Sequence, residues 1–96
     1  MTFRFSKRAQ VELEELIAES ADRFGIAHAA DYVAGMREKL ALLAETPTIA
    51  REREELISRA RAYRYKAHMI VYREEEDGIF VIRLPHARSD WINDPD

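Results

Sequence analysis

The 96-residue chain has no cysteine and only three glycines, three prolines and one tryptophan. Without cysteine there are no disulfides, thiolate zinc sites or cysteine nucleophiles. No stretch approaches the ~20 consecutive apolar residues of a membrane-spanning helix. Met1-Thr2-Phe3-Arg4-Phe5-Ser6-Lys7 leads into a charged, periodic segment rather than the apolar centre of a signal peptide. A cytoplasmic protein is the expectation. There is no phosphate-cradling glycine loop and no His-x-x-x-His pair, so neither a nucleotide loop nor a metal site is expected. Excess positive charge is missing too. The net charge of −3 argues against a chain built to hold polyanions, and sequence-specific nucleic-acid binding is not expected.

What remains suits one small folded domain, residues 1–96. Apolar residues make up 47% of the chain, too many for a disordered one. Phe3-Arg4-Phe5 alternates as a strand does, and Ser6 is a good helix N-cap. Leu13, Leu16, Ile17 and Phe24 recur at helical spacing and predict a buried face on a helix over 7–24, closed by Gly25. A second helix starts near Ala27, buries Ala29, Val33, Met36, Leu40 and Leu43, and stops at Thr46-Pro47. Residues 48–58 read as a charged loop anchored by Leu56. Three strands follow: one around Tyr63 and Tyr65, one over 68–73, and one over 79–84, with Asp77-Gly78 as the last hairpin turn. The order is β-α-α-β-β-β, with a possible short C-terminal helix. The fold class is α+β: an antiparallel meander that the first strand must rejoin, since a lone strand is unstable.

Several residues could carry chemistry. Arg59, Arg61, Arg64 and Lys66 stand with Tyr63, Tyr65 and His68 in a segment free of acids. Three readings are open: a solvated strand face, a single-stranded nucleic-acid platform, or a dock for an acidic protein segment. His86 follows a strand end beside Arg83 and Arg88, where it is either a turn residue or a general acid. Glu54 lies in a dense charge cluster that could hide a base. Ser6 and Ser58 have no nucleophile setting. Trp91 either pins the polar tail or anchors a partner.

Taken in order, these pieces resemble the ParE toxins of type II toxin–antitoxin modules, within the RelE/ParE superfamily. The resemblance rests on Ser6-Lys7-Arg8-Ala9, Arg23-Phe24-Gly25, Ala29-Ala30-Asp31-Tyr32 and Leu43-Ala44-Glu45-Thr46-Pro47 with Arg51. It continues through Leu56, Arg61 and Tyr63, then His68-Met69-Ile70-Val71-Tyr72-Arg73 and Ile82-Arg83-Leu84-Pro85-His86. The chain departs from the family at Ala50, where a glycine is usual, and at Arg59 and Lys66, where glycines are common. The resemblance implies a RelE/ParE-like fold and a toxin that inhibits DNA gyrase without being an enzyme. It implies a ParD-like antitoxin partner and no cofactor. Antitoxin contact is then expected at Arg59, Arg61, Tyr63, Arg64 and Lys66, and gyrase contact at His86, Arg88 and Trp91. The alternative is a RelE-like ribosome-dependent mRNA endonuclease using Glu54, Arg61 and His86. Against it, Met69 stands where that pattern carries a phosphate-stabilising arginine, and a thioether cannot offset phosphate charge.

Overall fold

Ser6 begins the helical part of the chain as expected. In the computed structural model, which describes residues 2–56 and 59–93, its hydroxyl oxygen accepts from the Ala9 N–H (3.0 Å) and its O–H donates to the Ile82 carbonyl (2.7 Å). One side chain thus caps a helix and ties it to the sheet. Strand β1 (Thr2–Phe5) precedes helix α1 (Lys7–Phe24), and helix α2 (Ile26–Glu45) follows after a single residue. That residue, Gly25, has φ 94°, a conformation that disfavours a side chain. A 3-10 turn (Pro47–Ile49) leads to strands β2 (Arg61–Tyr65), β3 (His68–Glu75) and β4 (Gly78–Arg83), and a second 3-10 turn covers Trp91–Asn93.

The sheet order is β1-β4-β3-β2. The last three strands form the antiparallel meander, and β1 returns beside β4, in parallel. The first strand therefore rejoins the sheet, as its isolation demanded. The β3–β4 ladder contains a bulge between Val71 and Tyr72, breaks at Leu84-Pro85, and resumes where His68 pairs with His86. Backbone bonds from Met69 N to Pro85 O (2.9 Å) and from Ala87 N to Ala67 O (2.8 Å) make that resumption.

Both sheet faces are covered. The helical hairpin packs on one, burying Ala9, Leu13, Leu16, Met36, Leu40 and Leu43 against Ile70, Tyr72, Ile79 and Val81. On the other face, Met69, Val71 and Ile82 meet Leu56 and Ala60 from the loop before β2 and Trp91 from the C-terminal segment. A mainly apolar β3, buried toward both sides, is what its dense run of hydrophobic residues requires.

Two details differ from the sequence-based expectation. Ile17 and Phe24 are exposed, Phe24 by 63% at the last position of α1. The last hairpin turns through Glu76 and Asp77, because Glu75 pairs with Gly78. Gly78 opens β4 at φ 149°, and a Cβ there would collide with the Thr2 backbone. It is glycine because β1 approaches closely, not because it makes the turn.

Candidate functional site

The hairpin corner and the nearby end of the sheet enclose a cleft of about 260 Å³. Leu16, Glu19, Ser20, Arg23 and Phe24 come from α1, His28 and Tyr32 from α2, Ala67 and His68 from the β2–β3 hairpin, and His86 from the resumed ladder. All three histidines of the chain meet here, although 40 and 18 residues separate them in sequence. Among the described residues no group of three or more His, Asp or Glu side chains could hold a metal ion.

The tyrosines organise the floor of this cleft. The Tyr32 hydroxyl accepts from Ala67 N (3.2 Å) and lies 2.8 Å from His68 Nδ1. The Tyr65 O–H donates to the Tyr32 carbonyl (3.2 Å). A Cβ at position 35 would strike the Tyr65 hydroxyl, so Gly35 is what admits this ring beneath α2. Burial pushes the Tyr32 phenol above its ordinary pKa. Burial, then the neighbouring His86, pushes the His68 imidazole below 6.5, and the more distant Glu19 and Glu12 only partly offset this. His68 is therefore neutral at pH 7, and the Tyr32 O–H lies within reach of both His68 Nδ1 and the Tyr65 carbonyl (3.4 Å). His68 and His86 stack edge to face at 5.4 Å. The His86 Nδ1 accepts from the Arg88 N–H (3.1 Å).

The sheet edge formed by β2 divides the predicted antitoxin residues in two. Arg59, Arg64 and Lys66 are exposed. Arg59 and Lys66 have φ of 53° and 50°, the left-handed backbone that glycine favours. Tyr63 packs partly into the core. Arg61 is committed within the fold: its side chain is 12% exposed, Nη1 donates to Ala50 O (2.6 Å), and Nη2 donates to Glu74 (2.8 Å) with Glu52 at 3.7 Å.

Arg61 and His86 are set apart. Arg61 pairs with Tyr72 and His86 with His68, four residues along β3, or about 13 Å at ~3.3 Å per residue. Glu54 is exposed in the turn beyond the Glu52–Arg61 bridge, near the Arg61 end. Ser6 is consumed as a cap, and Ser58 lies outside the described residues. Arg83 is 6% exposed and holds α1 through Glu12, with Nε at 3.1 and 3.2 Å and Nη2 at 2.9 Å from the carboxylate. The same carboxylate accepts from Leu84 N (2.8 Å). Sequence reasoning missed this clamp, because only the fold brings residues 71 apart together.

In the C-terminal segment His86 and Arg88 are exposed, while Trp91 is 8% exposed in the second core with the Arg53 guanidinium 5.9 Å from its ring. Trp91 does pin the tail. Its neighbour Met69 is buried in the same cluster.

Comparison with known proteins decides the family. The family described as "ParE toxin of type II toxin-antitoxin system, parDE" matches residues 3–91. The chain belongs to the ParE toxin family. A curated ParE relative, Toxin ParE1 of Caulobacter vibrioides, is 30% identical over 71 residues, which is 74% of each chain. A chain from the solved structure described as "Chromosomal ParDE TA system from P. aeruginosa" superposes with a TM-score of 0.74 at 15% identity. The match covers 90% of this chain and 95% of that one, and it shows a common fold. No helix among the described residues is long and apolar enough to cross a membrane.

Proposed function

We propose that this ParE-family toxin inhibits DNA gyrase without acting as an enzyme and is neutralised by direct binding of a ParD-like antitoxin. The observation that carries the non-enzymatic reading is the placement of the would-be nuclease set. Arg61 is spent on Ala50 and Glu74, about four β-residues from His86, and Met69 lies buried beneath Trp91. Proton transfer to a leaving RNA oxygen needs an acid, a base and a charge stabiliser within reach of one phosphate. The described residues do not gather such a set.

The exposed Arg59, Arg64 and Lys66 form the contact for an acidic antitoxin segment, with Arg61 and Tyr63 as the framework beneath. The antitoxin segment is expected to order as it binds, drawn by charge complementarity. His86 and Arg88 present the gyrase contact, and Trp91 holds them on the sheet. The protein is expected to work in the cytoplasm, where gyrase and antitoxin are found.

The test uses purified chain, gyrase, ATP and supercoiled plasmid, beside a ribosome-dependent mRNA cleavage assay. Gyrase-linked double-strand breaks and lost supercoiling, both reversed by antitoxin, are expected. Arg88→Ala should lower gyrase inhibition while antitoxin binding persists. Arg64→Ala should weaken antitoxin binding in a salt-dependent way. Cleaved mRNA with untouched gyrase would refute the proposal in favour of a RelE-type nuclease. Silence in both assays would leave a module that only binds antitoxin.

A further inference from the structure

The resumed β3–β4 ladder hangs on a histidine pair. Leu84-Pro85 interrupts the pairing, and Pro85 has no N–H to continue it. The C-terminal segment, residues 86–93, rejoins the sheet through the His68–His86 bridge and two backbone bonds, Met69 N to Pro85 O and Ala87 N to Ala67 O. Ala87, Trp91 and Ile92 then pack it on the second core. The first core draws on no described residue after Leu84, so the helical hairpin does not depend on this segment.

At the bridge the two imidazoles meet edge to face, with ring centroids 5.4 Å apart. That contact suits two neutral rings, or one neutral and one charged. Two imidazolium ions there would be like charges at close range, which opposes uptake of the second proton. Burial, then His86, already hold the His68 imidazole below its ordinary value. Tyr32 does not decide the matter. Its hydroxyl can donate to His68 Nδ1 (2.8 Å), or accept from it while donating to the Tyr65 carbonyl (3.4 Å). His86 Nδ1 accepts from the Arg88 N–H, a bond that protonation at Nδ1 removes. The surrounding charges give little relief. On α1, Glu12 is engaged by Arg83 and Leu84 N, and Glu19 pairs with Arg23. From α2 come His28 and Tyr32, from the β2–β3 turn Lys66, whose ammonium is 5.9 Å from the Tyr32 ring, and from the tail Arg88. Neither carboxylate is free to neutralise a second imidazolium.

We propose that His68 and His86 are a proton-operated latch on the C-terminal segment. With at most one ring charged, the pair keeps the resumed ladder closed. With both charged, residues 86–93 leave the sheet and uncover Met69, Val71 and Ile82. Release is favoured because each imidazolium is then solvated separately. The helical hairpin and the first core stay folded. The latch does not rest on gyrase inhibition, because the position of the segment is itself the readout.

Trp91 is the chain's one tryptophan and lies in the segment to be released, so its emission reports the latch directly. The full chain is taken from pH 8 to pH 5 while Trp91 emission, acrylamide quenching and far-ultraviolet circular dichroism are followed. A red shift and stronger quenching below about pH 6.5 are expected, with the helix signal unchanged. The released-to-docked ratio should rise about tenfold per pH unit for each proton taken up. Faster exchange of the Met69 and Ala87 amides, which lose their bonds to Pro85 and Ala67, should accompany it. His86→Gln keeps an acceptor for the Arg88 N–H, and His68→Gln keeps one for the Tyr32 hydroxyl. Each leaves a single imidazole, so each should move the transition about one pH unit lower or more, a tenfold loss of release at a given pH. The proposal is overturned by Trp91 emission that stays constant from pH 8 to pH 5, or by a red shift that coincides with loss of the helix signal. It is equally overturned by a transition unmoved in a variant that buries Trp91 at pH 8.

Discussion

Replacing Glu12 with glutamine tests what holds the helical hairpin to the sheet. The carboxylate accepts from Arg83 Nε and Nη2 and from Leu84 N, and both side chains are nearly buried, with exposures of 16% and 8%. Glutamine keeps an oxygen for Leu84 N, so the change isolates the charge. Breaking a buried ion pair by removing one partner costs about 3–5 kcal/mol, because the remaining charge stays desolvated. Unfolding entropy of ~2.1 cal/mol/K per residue gives roughly 0.2 kcal/mol per degree for a chain this size, so Tm should drop by about 15–25 °C. Such a loss is a large share of a small domain's stability. Urea denaturation and calorimetry of the wild type, Glu12→Gln, Arg83→Met and the double variant complete the cycle. The double variant should recover at least half of the single loss, since burying neutral groups of similar size restores packing without a stranded charge. A single-variant loss below about 1 kcal/mol, or a double variant no better than Glu12→Gln, would refute the clamp.

Three further outcomes follow from particular residues. Arg59→Gly should stabilise by about 1 kcal/mol, since a left-handed backbone costs a non-glycine residue about that much. Lys66→Gly should gain less, because the Lys66 ammonium also sits 5.4 Å from the Tyr65 ring; thermal melts that rank Lys66→Gly above Arg59→Gly would count against this. Gly78→Ala should destabilise by about 3 kcal/mol or more and free β1 from β4, seen as rapid amide exchange at residues 79–81. His68 titrates below 6.5 in the folded chain, so the unfolded chain binds the proton more readily. Its stability contribution is complete above about pH 6.5 and is lost as pH falls through the lowered folded value. His68→Gln should flatten the decline of Tm between pH 7 and 5. The Glu55 and Glu75 carboxyls, held low by Arg53 and Arg4, act in a separate window below pH 4.5.

Much of this architecture is legible from residue order, for identifiable reasons. Ser6, Gly25 and Pro47 mark helix ends because each acts on its own neighbours' backbone, and both helices fall where the spacing predicts. The apolar run at 68–72 announces a strand buried on both sides. What escapes sequence reading depends on distant partners. Phe24 keeps helical spacing with Leu13 and Leu16, yet it stays 63% exposed at the end of α1. Gly78 looks like a turn glycine, and only the return of β1 reveals the steric demand. Arg61 looks like part of a basic patch until its guanidinium is seen on Ala50 and Glu74. The histidine cleft is the clearest case: no spacing signal links His28, His68 and His86.

The parallel pairing of β1 with β4 also has a consequence during synthesis. Thr2–Phe5 is made long before its neighbour Gly78–Arg83, which is followed by the segment carrying Trp91. The helical hairpin can form early from local contacts, whereas the sheet edge and the second core wait for β4 and Trp91. At ~5–20 residues per second, a growing chain spends about 1–4 seconds with Met69 and Val71 uncovered before Trp91 is made. In this member of the toxin family the sheet edge and the second core are therefore completed only once Trp91 has been made, well after the helical hairpin.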